Sequence, residues 1–557
     1  MRLISPRLWA AAALSGVLQV LPFPIAGPTP LWRTTFCWIA LLPLFWALLG
    51  NSKAGNPLTV RQGAALGYLC GFLWYMGNCY WIYQTMYLYG GLAKPIAAGI
   101  LVLFSLYLGL YHALFGAFVA AFRVRFGRQG ALLLVPFAWV AVELARARIT
   151  GLPWDLLGMA QVDNPLLIRL AAITGAYGLS FVIAAVNALF LVRIRIRERR
   201  FTRPILTSTG VTILVLYVLG LRFIATPKSE PTTATATLVQ ENIEVGAANT
   251  GPQPTTRQYL ESFSYLSLHP SATLLLGIPE LVSTPSVRII RRSDSTDETD
   301  PRSPVTIPTD LIVWPESPAP FEDTDPEFRA AISSLARTAQ APVIAGNIGF
   351  EPSASTKSGY IPYNRASFVT PDGTFAGHYD KMHLVPFGEY VPYKELFFFA
   401  KNLLNEVGTF EPGTRRSVFT TGGHTYGTFI CYESIFADEI RDYAKQGADV
   451  LINISNDGWY GDTSAPWQHL NMVRMRAIEN HRWVLRATNT GITAAIDPFG
   501  RVRAAAPRHS RTSIRVHFAY EHDLTFYSTY GDLFAYTCAL VTALGLAFSL
   551  HRRFAVN

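Results

Sequence analysis

The chain has 557 residues, 50% of them hydrophobic and only 15% charged, where soluble domains carry roughly 25% charged residues. With a mean hydropathy of +0.23, a wholly soluble protein is excluded. The net charge of +9 suggests a nucleic-acid binder until it is divided: residues 1–225 hold 19 Lys/Arg against 4 Asp/Glu, and the remainder is net −6. The basic excess belongs to the apolar part, where Arg and Lys set orientation in a bilayer, so a basic nucleic-acid face on a folded domain is excluded as well.

A helix spanning a bilayer needs about 20 mostly apolar residues. Such runs lie near residues 8–25, 32–50, 63–83, 96–122, 130–147, 168–192 and 205–225, with an eighth at 534–551. The first follows Arg2 and Arg7 as a signal peptide would, but it lacks a convincing small-x-small cleavage site and reads as a retained helix. Lys53, Arg61, Arg123, Arg125, Arg128, the run RIRIRERRFTR (193–203) and Arg552/Arg553 fall in alternate loops. The positive-inside rule then places the N-terminus in the cytoplasm, residues 226 to about 530 outside, and the C-terminus back inside.

Two outward loops, GNCYWIYQTMYLYGG (77–91) and TGLPWDLLGMAQ (150–161), are rich in aromatic residues. Interfacial anchoring is one reading. The other is a lipid-facing floor beneath the outer domain, with Trp154 as its main contact.

From about residue 232 the pattern changes to short β-branched runs between helical segments. ATATLVQ (234–240), DLIVWP (310–315), APVIAGN (341–347), ASFVTPDG (366–373), TYGTFIC (425–431), ADVLINIS (448–455), WVLRATN (483–489) and GITAAIDP (491–498) predict strands. DPEFRAAISSLARTAQ (325–340) and HLNMVRMRAIENHR (469–482) predict helices. The result is an α/β layered domain over 226–530, with residues 283–309, rich in Ser, Thr, Pro and charge, as a surface insertion. Residues 1–225 form a seven-helix membrane domain, and 531–557 the final helix and tail.

Cys37, Cys70, Cys79 and Cys538 fall in apolar runs, and Cys431 is alone in the polar part. It can form no disulfide within that domain, and no C-x-x-C or Cys/His metal spacing accompanies it. In GTFICYESIF it ends a strand-like run and precedes polar Tyr432, Glu433 and Ser434, then a helical segment. A buried cysteine at a strand end would look the same. So would a nucleophile on a tight strand-to-helix turn, with backbone N–H groups facing a reacting carbonyl. Two other strand-like runs end in reactive residues: LIVWPES supplies Glu316, and YDKMHLVPFGEYVP supplies Lys381 and, eight residues on, Glu389.

Glu, Lys and Cys in this order resemble the triad of the nitrilase superfamily. The membrane-embedded family the chain resembles is apolipoprotein N-acyltransferase, through WPES, YNRASFV, GHYDKMHLVPFGEYVP, CYESIF, INISNDGWYG and QHLNMVRMRAIENHRWVLRATNTGITAAIDPFGRV. The resemblance implies an αββα sandwich inserted before the last of about eight transmembrane helices of a bacterial inner membrane. It implies Glu316 as general base, Lys381 facing the oxyanion, and Cys431 as nucleophile. Glu389 and Glu433 would orient Lys381 and the acceptor, and Tyr432 would shape the acyl pocket. Asn364 would line the site or merely close a turn, and Trp459 would contact substrate or pack in the core. Trp154 and Tyr390 join it as candidate substrate contacts. His383, beside Lys381, reads as structural.

The implied reaction moves an acyl chain from a membrane phospholipid to Cys431, and then to the N-terminal amine of a diacylglyceryl-cysteine apolipoprotein. The implied enzyme is a monomer without metal or organic cofactor. The chain departs from the family in having no Trp in QENIEVGAANTG (240–251), Ser-Pro-Ala after WPE, and the 283–309 insertion. A membrane-tethered amidase acting on small amides, and a transporter or receptor with an inert outer domain, remain as alternatives. The second expects intramembrane charges, for which Glu143 is the clear acidic candidate.

Overall fold

In the computed structural model, residues 4–53, 55–195, 231–245, 254–270, 308–317, 319–354, 359–386, 388–390 and 410–554 are described. The expected span at 205–225 and nearly all of the 283–309 insertion lie outside them. Helices stand at the other expected spans: Pro6–Val20, three short pieces over 31–48, Val60–Asn78, Lys94–Ala145, Ala176–Arg195 and Leu533–Phe554. Among the described residues, only Leu31–Leu48 and Lys94–Thr150 are long and apolar enough to cross a bilayer by length and composition alone. Ala176–Val192 and Leu533–Ser549 are shorter apolar helices.

Two spans expected at 96–122 and 130–147 form one helical run, interrupted where Gly127 adopts φ +72°. That backbone region suits glycine and separates the two halves. The Val60–Asn78 helix starts in a capping box, with the Thr59 hydroxyl accepting from the Gln62 N–H and the Gln62 side-chain Oε1 accepting from the Thr59 N–H. It packs backbone to backbone against the long helix: a Cβ on Gly67 would lie 2.1 Å from the His112 carbonyl oxygen. Small residues make such close crossings possible between apolar helices.

The α/β part is two six-stranded sheets. Its strands are β1 (Ala234–Gln240), β2 (Leu311–Val313), β3 (Val343–Pro352), β4 (Tyr360–Val369), β5 (Phe375–Asp380), β6 (Val418–Thr421), β7 (His424–Ile430), β8 (Val450–Ser455), β9 (Val484–Thr488), β10 (Ala494–Ile496), β11 (Val502–Ala505) and β12 (Thr512–Phe518). The sheet orders are β12-β1-β2-β3-β4-β5 and β11-β10-β9-β8-β7-β6. Each sheet has three parallel strands at its heart, β1–β2–β3 and β7–β8–β9, flanked by antiparallel ones.

Between the sheets lies a dry layer that includes Leu311, Val313, Phe368, Ile430, Ile452 and Leu485. Thr256–Leu268 and Pro326–Ala339 cover one outer face, and Ala437–Lys445 and Ala465–Asn480 the other. Strands buried on both faces read as largely apolar runs, as β2 and β8 do, while β9 is buried throughout but carries Arg486. Four strands were not expected: β5, β6, β11 and β12. They are the four sheet edges.

The Ala465–Asn480 helix is covered on both sides, by the sheet and by the helical part. Gln468 Nε2 donates to the Asn78 carbonyl oxygen (3.0 Å), Arg474 pairs with Asp163 (2.6 Å), and Glu479 accepts from the Ala176 N–H (3.1 Å). Arg148, at the end of the long apolar helix, pairs with Asp438 and at 2.5 Å with Asp532, which opens the last helix. The outward loops therefore face the α/β part. This corrects the expectation of a lipid-facing floor at Trp154, whose ring is 2% exposed with its indole N–H donating to Gln468 Oε1 at 2.9 Å. A tryptophan with its one polar atom satisfied by a buried amide is a docking residue of that interface.

Candidate active site

Strand β7 ends at Ile430, and the chain turns at once into a short helical turn, Cys431–Ile435. Cys431 adopts φ +48°, a left-handed conformation that costs a non-glycine residue about 1–3 kcal/mol. The turn is tied back by Glu433, whose Oε2 accepts the Ile430 N–H at 2.7 Å. Burial pushes the Cys431 thiol up, as does the Glu316 carboxylate, and the Lys381 ammonium and a hydrogen bond with Ser455 oppose them only in part. The resting sulfur is a thiol, so attack on a carbonyl requires a base to take its proton.

Glu316 sits just past β2 and Lys381 just past β5, at the same end of the first sheet, and Asn364 lies on β4. The Glu316 turn is held against β3 at a position that requires glycine: a Cβ on Gly346 would lie 2.2 Å from the Pro315 carbonyl oxygen and 2.8 Å from Glu316 Cα. Lys381 Nζ donates to Glu316 Oε1 at 2.9 Å and to Glu389 Oε1 at 3.0 Å. Asn364 Nδ2 donates to both carboxylates at 2.7 Å. The second oxygen of Glu316 accepts from the Asn456 N–H (2.9 Å), and that of Glu389 from the Val385 N–H (2.8 Å). Burial draws the Lys381 ammonium down, but Glu316, Glu389 and Cys431 outweigh it and hold the group well above its ordinary range. Lys381 is a buried cation throughout the physiological range. Asn364 is a ligand of both acids and closes no turn.

Glu433 differs from its expected part. It accepts from Tyr379 Oη (2.6 Å), the Met382 N–H (2.7 Å) and the His383 N–H (3.2 Å), besides Ile430. Its oxygens are filled by groups that fix backbone, so it sets the loop after Lys381 and does not touch the ammonium or offer itself to an acceptor. Burial raises its pKa, against the bonds from Tyr379 and Ile430. Tyr432 points its hydroxyl to the Gly151 carbonyl oxygen (3.2 Å), and its ring packs edge-on against Phe436 at 5.4 Å. Tyr390 is half-buried near Tyr432. His383 stacks on Phe436 at 4.1 Å and faces Glu439 at 3.0 Å, away from the thiol. Trp459, 39% exposed, is not core packing.

Sequence reasoning missed the polar group on the other side of Cys431. His469 Nε2 lies 3.0 Å from the Cys431 carbonyl oxygen and 2.7 Å from Ser434 Oγ, and its Nδ1 lies 2.9 Å from Asp457 Oδ1. Arg486 pairs with Asp457 Oδ2 at 2.6 Å. Despite burial, Arg486 and His469 hold the Asp457 carboxyl far below its usual range. Trp154 stacks over His469, ring centroids 6.1 Å apart and planes at 25°. The available signal was His469 itself, a polar residue on a helix whose Leu470, Val473 and Ala477 pack on the sheet and whose Met472, Met475 and Ile478 face the helical part.

An αββα sandwich with a thiol on a strained turn beside a clasped lysine defines a class, the carbon–nitrogen hydrolases, and the family model "Carbon-nitrogen hydrolase" matches residues 272–518. "Apolipoprotein N-acyltransferase N-terminal domain" matches residues 15–189. A Geobacter metallireducens protein named apolipoprotein N-acyltransferase is 34% identical over 99% of this chain and 96% of its own. One from Methylococcus capsulatus with the same name is 31% identical over 97% and 96%. The chain belongs to the apolipoprotein N-acyltransferase family. Among solved structures, Saccharomyces cerevisiae Nit3, a member of the nitrilase superfamily, is similar at 17% identity with a TM-score of 0.34, over 51% of this chain and 90% of that one.

Proposed function

We propose that this protein moves a fatty acyl chain from a membrane phospholipid to the N-terminal amine of a diacylglyceryl-cysteine apolipoprotein, by way of a Cys431 thioester. The observation that carries this reading is the buried thiol turn beside Lys381, itself held by Glu316 and Glu389 at 2.9 and 3.0 Å, in a chain of this family.

In the first step Glu316 takes the thiol proton as the sulfur attacks the ester carbonyl. The developing oxyanion faces the Lys381 ammonium. Collapse expels the lysophospholipid alkoxide, which takes its proton from Glu316. In the second step Glu316 deprotonates the incoming amine, the amide forms, and the sulfur leaves as thiol. Glu389 and Asn364 keep Lys381 and Glu316 in register, and Tyr432, Tyr390 and Trp459 border the acyl path.

The membrane frame belongs to the same reading. Residues 1–225 supply seven spans and 531–557 an eighth in a bacterial inner membrane, with residues 226–530 on the periplasmic side and the monomer as the working unit. Both substrates are lipid-anchored there and reach the thiol laterally. Intact-mass analysis of the purified protein incubated with phospholipid tests the chemistry. The expected result is a hydroxylamine-labile gain of one fatty acyl mass that Cys431→Ser abolishes. Lipoprotein acylation without any such adduct on the wild type would sink the covalent route.

A further inference from the structure

We propose that His469 is a positioning residue that aims a backbone oxyanion donor at the carbonyl oxygen of an acyl group on the Cys431 sulfur. A carbonyl oxygen only accepts, so the 3.0 Å contact between His469 Nε2 and the Cys431 carbonyl oxygen places a hydrogen on Nε2. The peptide joining Cys431 to Tyr432 is trans, so its C=O and N–H point in opposite directions. Pulling the carbonyl inward to His469 therefore turns the Tyr432 N–H outward, on the side away from the imidazole. The first N–H groups of a helical turn have no partner within it, which leaves this one free to meet a developing oxyanion opposite Lys381.

The left-handed φ of Cys431, +48°, needs such a restraint, because relaxation toward ordinary backbone would rotate the same peptide. The histidine is itself fixed on every side. Asp457 faces Nδ1 at 2.9 Å, Arg486 lies 3.2 Å from the same nitrogen, Ser434 Oγ is 2.7 Å from Nε2, and Trp154 covers the ring face. His469 and Asp457 are both fully buried. The neighbouring residue, Gln468, bonds to Asn78 and Trp154. One turn of helix thus joins the apolar part of the molecule to the peptide that follows the nucleophile.

This inference rests on the reading of Cys431 as an acyl acceptor, and its test separates the two. The full-length protein in detergent is acylated with p-nitrophenyl acetate, which needs an oxyanion donor, and alkylated with iodoacetamide, which does not. His469→Gln keeps a donor at the Nε2 position, whereas the shorter His469→Asn reaches Asp457 but not the Cys431 carbonyl. His469→Asn is expected to slow acylation roughly 10²-fold, the usual loss for one oxyanion donor, with alkylation within about threefold of wild type. His469→Gln is expected to recover to within roughly tenfold. Asp457→Asn, the second variant, should slow acylation alone, by roughly tenfold. Equal Asn and Gln variants, or alkylation falling in step with acylation, would overturn the proposal. So would a wild-type thiol that alkylates but is never acylated by the ester. A normal ester burst with no phospholipid adduct would instead remove the lipid-transfer reading and leave the role of His469 standing.

Discussion

On one side of Cys431 a lysine is clasped by two carboxylates and an amide, and on the other an arginine is matched to one carboxylate that also faces a histidine. Both groups are buried and densely hydrogen-bonded. Their charge counts differ. Lys381 faces two carboxylates, Glu316 and Glu389; Asp457 faces two nitrogen groups, Arg486 and His469. The first holds the proposed base, Glu316, which takes and returns a proton in every turnover. The second holds its histidine against the Cys431 carbonyl and serves as a rigid support.

That contrast breaks most sharply at the sulfur. Cys431→Ser is expected to lower acyl transfer by roughly 10⁴–10⁶-fold, as loss of a nucleophile does, with the melting temperature unchanged in a thermal-shift assay. Lys381→Met should cost roughly 10²–10³-fold in the acylation rate, measured by single-turnover mass spectrometry. Arg486→Met should do the reverse. It strands the Asp457 charge, at about 3–5 kcal/mol of stability, read as a large drop in melting temperature with a loss of rate per folded molecule no greater than roughly tenfold. If Arg486→Met proves as inactive as Lys381→Met while melting normally, the distinction between the two groups fails.

The pH dependence sharpens the comparison further. Burial and Glu316 raise the thiol's pKa, so its thiolate fraction rises about tenfold per pH unit with no plateau below the ordinary thiol value near 8.5. Iodoacetamide alkylation of the resting enzyme should follow that slope from pH 6 to 10. Lys381 is raised too; as a cation held above its unfolded value near 10.4, its stabilising contribution is fully present below that value and is lost only as pH climbs through the folded one. No alkaline loss of folding attributable to Lys381 should appear below pH 10. The smallest effect expected is that of Tyr432→Phe, which removes one bond to Gly151, worth about 0.5–1.5 kcal/mol, and should slow transfer less than tenfold.

What could be read from the residues, and what could not, follows the sheets themselves. The eight expected strands are the interior ones, whose apolar runs need no partner to be recognised. Each of the four edge strands was missed. FAGHYD has a single buried residue and TSIRVHF interrupts its apolar residues with Arg515 and His517, and VFTT and VRAA are four residues long, as edges tend to be. At the site, Glu316, Lys381, Glu389, Asn364 and Cys431 announce themselves by standing at strand ends or in long family-like motifs. His469 does not, because its meaning lies in a carbonyl 38 positions away in the chain. Trp154 was assigned to lipid because aromatic loops beside apolar helices usually meet lipid. Here the α/β part reaches them first.

The pairing of β1 with β12 sets a schedule for making the protein. Residue 234 lies opposite residue 518, so the first parallel strand waits for its outer neighbour until almost the whole domain has been synthesised. At ~5–20 residues per second that delay is on the order of 15–60 s, during which a β-edge stands open outside the ribosome. Closing so long a loop carries a high entropic cost and a slow rate. The strand that relieves it is followed, after a short helix at Phe526–Tyr530, by the last apolar helix, whose start is clamped by Arg148 through Asp532. Completion of the sheet and anchoring of the final helix are thus successive events in one short stretch of chain, and a product truncated before residue 512 would expose an unpaired edge to aggregation or proteolysis.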